Sequence, residues 1–518
     1  MASTFFGLTI AYSGLQAANT SLTITGHNVS NINTKGYTRQ QAGTQAADAL
    51  RTHTTYGAIG SGVVVTEISQ IRDSYYDVKY RNNMANYGQY SVKESYMGQI
   101  EGYLDEFTLN GYSQEYKNFF SAVNQLTITP GDTSAKNQLI NNAKSLADYF
   151  NTLTTNLRNV QADANNEIKD AVQQINSYAK NIAALNRQIN QIEANYGNAN
   201  DLRDKRNAMI DELSEIVNLE TSEEDMGNNV SNFSVRINGQ TLVSSYSYNT
   251  LETVARTDKK NYSDAEGLYD VQWNSGQKFD MYTSLSGHLK GLIDIRDGNN
   301  GEHENIETDD DGNNVTDSDG NLLLTTAPAA DKTVSYKGVP YYQAQLNEFA
   351  KIFSDAVNKI MKSGYTSDGS SKGISLFVTQ PNTTVMSAGN ITVNPELLKN
   401  ADLLAIKKEQ NDGESDAKIM EELNKLQSEK IFAGGTGSYF LESIVSDMSI
   451  DSQKAVNLYK NYTDLKTSIH NQRLSIMGVD TDEEAMDMIK YQQAYNLNSK
   501  MMSVMNQIYD KLINQTGI

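Results

Sequence analysis

The stretch LTIAYSGLQAANTSLTITGHNVSNI, Leu8 to Ile32, decides how the chain is built. Leu8, Leu15, Leu22 and Val29 recur every seven residues, and Ala11, Ala18, Thr25 and Ile32 each follow three residues later. A 3/4 alternation of this kind is the seam of a coiled-coil helix. Ser3 or Thr4 can cap its start, and Gly36 can end it. No Asp, Glu, Lys or Arg precedes Lys35, so the seam is flanked by Ser, Thr, Asn and Gln. A lone solvated helix carries charges on its outer face. Neutral flanks instead allow close packing on several sides without burying ions.

The other end of the chain mirrors this pattern. Met488, Tyr491, Tyr495, Met502, Met505, Tyr509 and Leu512 follow the same spacing, with Asn498 the one polar seam position. Thr481 and Glu484 have the spacing of a capping box, and Asp482, Glu483 and Glu484 suit the positive N-terminal end of a helix. Fully burying a Leu or Val gives about 1.5–3 kcal/mol. Ordering one residue's backbone costs about 1–2 kcal/mol. Four large side chains do not hold so long a helix on that tally. Both ends are therefore expected to order only against each other and against neighbouring copies, with a clasp closed within one chain as the alternative.

The chain has 518 residues and 38% hydrophobic residues, enough for roughly two to four domains. Its five prolines leave the first 129 residues and everything after Pro395 open to long helices. A net charge of −20 with no Lys/Arg cluster argues against a nucleic-acid partner. No cysteine is present, so neither disulfides nor thiolate chemistry are available. The N-terminus has neither a charged segment nor a continuous apolar run of a secretory signal, and no stretch approaches a membrane span.

Between the ends, residues 75–125 read as helix, followed by a turn at Thr129–Pro130–Gly131–Asp132. A long helix is predicted from Ser134 to Tyr196, stopped by Gly197. Its seam is Ile168, Ala171, Ile175, Tyr178, Ile182, Leu185, Ile189, Ile192 and Tyr196. A second helix over 201–217 folds back. From 221 the period changes to two: Phe233, Val235 and Ile237 alternate, Asn238–Gly239 turns, and Leu242–Val243 returns. Val271 and Trp273 mark another strand. Helices are predicted at 285–297, 345–361, 414–427 and 439–477, with strands and turns over 364–395 and a hinge at Gly434–Gly435–Thr436–Gly437.

Tests for chemistry are negative. His27, His53, His288, His303 and His470 are scattered, and His303–Glu304 lacks the second His of a zinc-protease motif. Tyr56–Gly57–Ala58–Ile59–Gly60–Ser61–Gly62 is followed by no Lys-Ser/Thr and precedes a strand, so it is a turn and not a phosphate loop. The acidic insertion 299–335 contains Asp309–Asp310–Asp311–Gly312–Asn313 and Asp317–Ser318–Asp319–Gly320–Asn321. Its spacing departs from a calcium loop, and a solvated surface insertion is favoured over calcium binding. No catalytic residue, cofactor or metal site is assigned.

Several motifs resemble a known family. Ser13–Gly14–Leu15–Gln16–Ala17 and Asn28–Val29–Ser30–Asn31–Ile32–Asn33–Thr34–Lys35–Gly36–Tyr37 are similar to the N-terminal signature of flagellar rod, hook and hook-associated proteins. Thr38–Arg39–Gln40 resembles the hook-associated, FlgK-type branch. Asp482–Glu483–Glu484–Ala485 and Tyr491–Gln492–Gln493–Ala494–Tyr495 resemble the C-terminal signature. Asp201–Leu202–Arg203, Asp211–Glu212–Leu213 and Gly389–Asn390–Ile391–Thr392–Val393–Asn394–Pro395–Glu396 are similar to internal family segments.

The resemblance implies a structural subunit of the hook–filament junction, with no enzymatic role. It implies export by the flagellar type III apparatus, and an extracellular place in the flagellum. Implied partners are copies of itself, the hook protein, a second hook-associated junction protein and a cytosolic export chaperone on the C-terminal helix. Another axial protein, hook or flagellin-like, is the alternative. The expected fold is α + β multidomain: terminal coiled-coil helices, a central helical bundle and outer β-rich insertion domains. Expected divisions are an inner-core segment 1–50, bundle 51–220, β-rich outer part 221–410, return helices 411–480 and inner-core segment 481–518. Leu8, Leu15, Leu22, Val29, Ile32, Met488, Tyr491, Tyr495, Met502, Met505, Tyr509 and Leu512 are the expected assembly interface.

Overall fold

With no proline before Pro130, long helices dominate the first part of the chain. The computed structural model describes residues 6–51, 58–104, 111–257, 259–279, 285–300, 305–306, 324–325, 334–381, 383, 385–413, 415–432 and 435–515. Ser3, Thr4, Tyr56, Gly57, Gly434 and both Asp-rich runs of the insertion lie outside the described residues. The helices are α1 (Phe6–Ser30), α2 (Ser74–Leu104), α3 (Tyr112–Ile128), α4 (Thr133–Glu193), α5 (Asn200–Ile216), α6 (His288–Asp297), α7 (Val339–Ser363), α8 (Pro395–Lys399), α9 (Lys418–Lys425), α10 (Gly437–Met477) and α11 (Thr481–Asp510). Two compact units are distinguished. One comprises Met1–Asn86, Ile175–Thr250 and Tyr462–Ile518, the other Tyr87–Gln174 and Leu251–Asn461.

In the first unit α1 is followed by a two-stranded antiparallel ribbon, β1 (Gln40–Ala46) with β4 (Val63–Gln70), continued by β2 (Leu50–Arg51) with β3 (Ala58–Ile59). The unit also contains a four-stranded sheet of β5 (Glu220–Asp225), β6 (Ser231–Ile237), β7 (Gln240–Ser244) and β8 (Ser247–Tyr248), in that order. Phe233, Val235 and Ile237 bury their side chains. Asn186 and Asn190 of α4 donate to the carbonyls of Ser245 and Ser231 at 2.8 Å, fastening the sheet to the helix. This sheet belongs to the same unit as the chain ends.

The turn between β6 and β7 is left-handed at both central residues, Asn238 with φ 49° and Gly239 with φ 73°. That is the two-residue turn whose twist matches a hairpin. Nothing lies within 4 Å of a Cβ built on Gly239, so its requirement is conformational alone. Gly239→Ala is expected to cost about 1 kcal/mol, measured as a lower urea midpoint; an unchanged midpoint would contradict the assignment.

Along α4, Ile168, Ala171, Ile175, Ile182 and Ile189 are buried, Tyr178 and Leu185 half-buried, and Ile192 and Tyr196 exposed. The helix stops at Glu193, and the left-handed residue after it is Tyr196 (φ 61°), not Gly197. Gly197 still closes the end, since its N–H donates to the Ile192 carbonyl at 3.1 Å.

The second unit is centred on packed aromatic rings: Tyr116, Phe119 and Phe120 of α3, Phe349 and Phe353 of α7, Phe377, Phe432 and Phe440. β9 (Leu251–Ala255) pairs with β10 (Tyr269–Trp273), and β11 (Asn305–Ile306) with β12 (Leu324–Thr325). β13 (Tyr365–Thr366) pairs with β16 (Ala405–Lys407), and β14 (Phe377–Thr379) with β15 (Ile391–Val393). Helix α6 begins at His288 instead of Leu285, because Gly287 has φ 108°. Helix α7 begins at Val339, ahead of the expected Gln345, with Pro340 in the first turn, where its missing N–H costs nothing.

Candidate functional site

The terminal helices meet within one chain. Helix α1 runs antiparallel to α11, with Gly7 against Met505, Gly14 against Asn498, and Asn28 hydrogen-bonded to Glu484. The inward row of α1 is Gly7, Ala11, Gly14, Ala18, Ser21, Thr25 and Asn28, a 4/3 alternation in which Gly7, Gly14, Ser21 and Asn28 each stand one residue before the expected Leu8, Leu15, Leu22 and Val29. Ala11, Ala18 and Thr25 belong to both. Leu8, Leu15 and Leu22 are only half-buried, and Val29 and Ile32 are exposed. Small side chains let two backbones approach closely, which moves the seam off the large residues. On α11, Tyr491, Tyr495, Asn498, Met502, Met505 and Tyr509 are half-buried, while Met488, and Leu512 in the turn that follows the helix, are exposed.

Beyond Ser30 the chain turns back on itself. Gly36, at φ 80°, passes close to α5, where a Cβ would sit 3.1 Å from that of Ala208. The expected helix end at Gly36 thus becomes a turn after a helix that has already stopped. Asn28, 1% exposed, organises this turn. Its Nδ2 donates to the Gln40 carbonyl (2.9 Å) and to Glu484 Oε1 (3.1 Å). Its Oδ1 accepts from the Gln40 N–H (3.0 Å) and the Tyr37 hydroxyl (2.8 Å). All four capacities of the amide are used, and no other side chain of that size offers two donors and two acceptors. Because the Tyr37 hydroxyl proton goes to Asn28, His27 Nδ1, 2.9 Å away, is the donor to Tyr37. Burial, with Asp201, Asp204 and Glu484 nearby, raises the Tyr37 phenol and keeps it neutral.

Arg39 joins the two ends. Its backbone N–H donates to the Met477 carbonyl at 2.9 Å. Its guanidinium donates from Nε to Glu484 (2.7 Å) and from Nη1 to Glu483 (2.6 Å), with Asp487 3.6 Å from Nη2. Glu484 was expected to serve a capping box with Thr481. Instead Asp480 caps α11, accepting from the N–H groups of Asp482 and Glu483, which frees the Glu484 carboxylate for Arg39 and Asn28.

The same signature grips α5. Thr38 donates its N–H and hydroxyl to Asp204 at 2.9 and 2.7 Å, Gln40 Nε2 donates to Asp201 at 3.0 Å, and Lys35 reaches Glu212 at 2.8 Å. Burial raises the Asp204 carboxyl against the pull of these donors and of Arg72. From Thr38 a chain of alternating charge continues: Arg72 to Asp77, Asp77 to Arg473, Arg473 to Asp211 and Asp211 to Arg81, each between 2.6 and 2.8 Å. Asp77, Asp204 and Arg473 were not singled out from sequence, and no local signal marks them. The only hint to the Arg39–Glu484 pair is the unlike charge of the two terminal signatures.

The two helices pair within one chain, the alternative to ordering only on assembly. Their small apolar contact is supplemented by this polar lock, in which Asn28 of α1 and Glu484 of α11 are joined through Arg39 and Gln40. What the lock does not cover is an apolar row on α11: Met486, Ile489, Leu497, Met501, Val504 and Ile508 are all exposed, Leu497 by 69%. Among the described residues, no group of three or more His, Asp or Glu could hold a metal ion, and no helix is long and apolar enough to cross a membrane.

Comparison with known proteins bears on both units. The family model of the flagellar hook-associated protein FlgK helical domain matches residues 97–377, more than half of the chain. That of the flagellar basal body rod FlgEFG protein C-terminal region matches residues 470–515. Flagellar hook-associated protein 1 of Bacillus subtilis (strain 168) is 27% identical over 543 residues, covering 100% of this chain and 99% of its own. The Salmonella typhimurium protein of that name is 28% identical, covering 97% and 98%. The structure titled flagellar hook junction protein FlgK from Burkholderia pseudomallei matches 77% of this chain and all of its own with a TM-score of 0.60 at 14% identity, a likeness of fold.

Proposed function

The chain belongs to the FlgK family of flagellar hook-associated proteins, the family of the hook–filament junction, and we propose that it builds the junction by assembling through its terminal clasp. The observation that carries this is the pairing of α1 with α11, which leaves an apolar row of α11 uncovered. Isolated exposed apolar residues are ordinary, but a row on one helix face, broken here at Gln493, suits a partner helix. The partners are neighbouring copies in one layer, the hook protein on one side and a second hook-associated junction protein on the other. Before assembly the α11 row suits a cytosolic export chaperone, and the absence of cysteine suits passage through the flagellar type III apparatus. The role is structural, not catalytic, and its place is outside the cell at the junction, with no nucleic acid and no membrane as partner.

The test is a chain carrying Leu497→Glu and Ile508→Glu, expressed in a strain that lacks the protein. Both sites are exposed, so each change should leave the stability of the folded monomer within about 0.5 kcal/mol of the parent. Cells should keep their hooks, shed filament protein into the medium and fail to swim. Normal swimming would exclude the α11 row as an assembly surface. Normal filaments in the strain lacking the protein altogether would exclude the junction role itself.

A further inference from the structure

We propose that Gly14 and Asn498 determine the register of the terminal helices, selecting one among the heptad-related alignments that their seams allow. Three facing pairs share one offset. Gly7 meets Met505, Gly14 meets Asn498 and Asn28 meets Glu484, so each seven-residue step along α1 is a seven-residue step back along α11. The apolar part of the seam does not choose this alignment. On α1 the repeating position is Gly at both 7 and 14, and on α11 Met505 and Tyr491 are both long side chains that a glycine can accommodate.

Asn498 is different. It is the one polar residue of its seam, and it lies over Gly14, where an added Cβ would come within 2.7–2.9 Å of its amide atoms. One of its N–H groups is used on its own helix, donating to the Ala494 carbonyl at 2.9 Å. The side chain is thereby folded into the space that Gly14 leaves. A polar residue at a single seam position lowers stability while specifying alignment, and Asn498 is half-buried there. A slip of one heptad displaces the helices by about 10 Å. It would set Met505 over Gly14 with Asn498 against Ser21, or in the other direction Tyr491 over Gly14 with Asn498 over Gly7. It would also draw Glu484 away from Asn28 and Arg39. The steric pin at Gly14 and the polar lock at Asn28 stand two heptads apart, and only the observed register satisfies both. In functional terms, register sets which residues of the exposed α11 row stand beside α1, and hence the surface that the clasp offers to a neighbour.

The chain has no cysteine, so register can be read by cross-linking. Gly7→Cys with Met505→Cys reports the observed alignment; Gly7→Cys with Leu512→Cys reports a one-heptad slip. Each pair is treated in the full-length protein with a short bismaleimide, and the intrachain product is scored by its gel mobility. The parent background should link 7 to 505 and not 7 to 512. Gly14→Asn should shift linking from 505 to 512 or abolish it, and the exchange Gly14→Asn with Asn498→Gly should restore 7–505. A second variant, Asn498→Leu, keeps an uninterrupted apolar seam. It should melt at a higher temperature and yet gain the 7–512 product. Exclusive 7–505 linking in Asn498→Leu overturns the proposal whether or not Gly14→Asn folds. So does failure of the exchange to restore 7–505 when its far-ultraviolet helicity matches the parent.

Discussion

Replacing Glu484 with alanine should cost the first unit about 2–4 kcal/mol and free both ends of the chain to proteolysis. Glu484 is 1% exposed, and its carboxylate is shared by Arg39 and Asn28. Removing it leaves an Arg39 guanidinium, itself 19% exposed, with only its outer partners Glu483 and Asp487. It also leaves one amide hydrogen of a buried asparagine unpaired. Glu483 is the internal control. Its side chain is 57% exposed, and Glu483→Ala should cost less than about 1 kcal/mol. The measurement is trypsin cleavage at Lys490 and Lys500 against urea concentration. Equal midpoints for the two variants would remove Glu484 from the lock.

Much of this clasp was legible from residue order, but not its details. The heptads at both ends, their mutual pairing as one possibility, the hairpin at Asn238–Gly239 and the long α4 all follow from periodicity and turn chemistry. The α1 seam came out one residue displaced because a heptad reading ranks positions by side-chain size. Close approach of two helices favours the opposite, and Gly7, Gly14 and Ser21 occupy the contact while Leu8, Leu15 and Leu22 border it. The Glu484 assignment failed for a different reason. Local spacing suggested a bond to Thr481's neighbourhood, whereas the partner is Arg39, brought there only by the fold. Asp204 and Arg473 are illegible on the same ground, since nothing in their sequence neighbourhoods refers to Thr38 or Asp77.

The second unit contains a more demanding electrostatic element, and Asp297→Asn should unfold it or weaken it by about 3–5 kcal/mol. Arg296 is fully buried and donates twice to Asp297, at 2.9 and 2.8 Å; its Nη1 donates to Asn165 and to the Tyr269 carbonyl. Arg256 also donates twice to Asp297, at 3.0 and 2.6 Å. One carboxylate therefore bridges two guanidiniums away from water, and an amide in its place leaves Arg296 uncompensated and Arg256 with Asp270 alone, 2.7 Å from its Nε. The pH dependence has a definite sign. Although burial alone would raise it, the pair of arginines holds the Asp297 carboxyl far below the usual carboxylate range. Its contribution is then present above the unfolded value of about 3.9 and lost as pH falls below it. Asp264, held by Gln161 and Asn261, is shifted upward by burial and by Asp297, so its contribution runs the other way and fades as pH rises above about 3.9. Wild-type stability should accordingly change little, or rise, as pH drops from 7 toward the carboxylate range, and then fall. The gap between wild type and Asp297→Asn in urea midpoint should be constant near neutrality and should narrow below about pH 4. A gap that is small at pH 7, or that stays constant down to pH 3, would mean that Asp297 does not carry the two arginines.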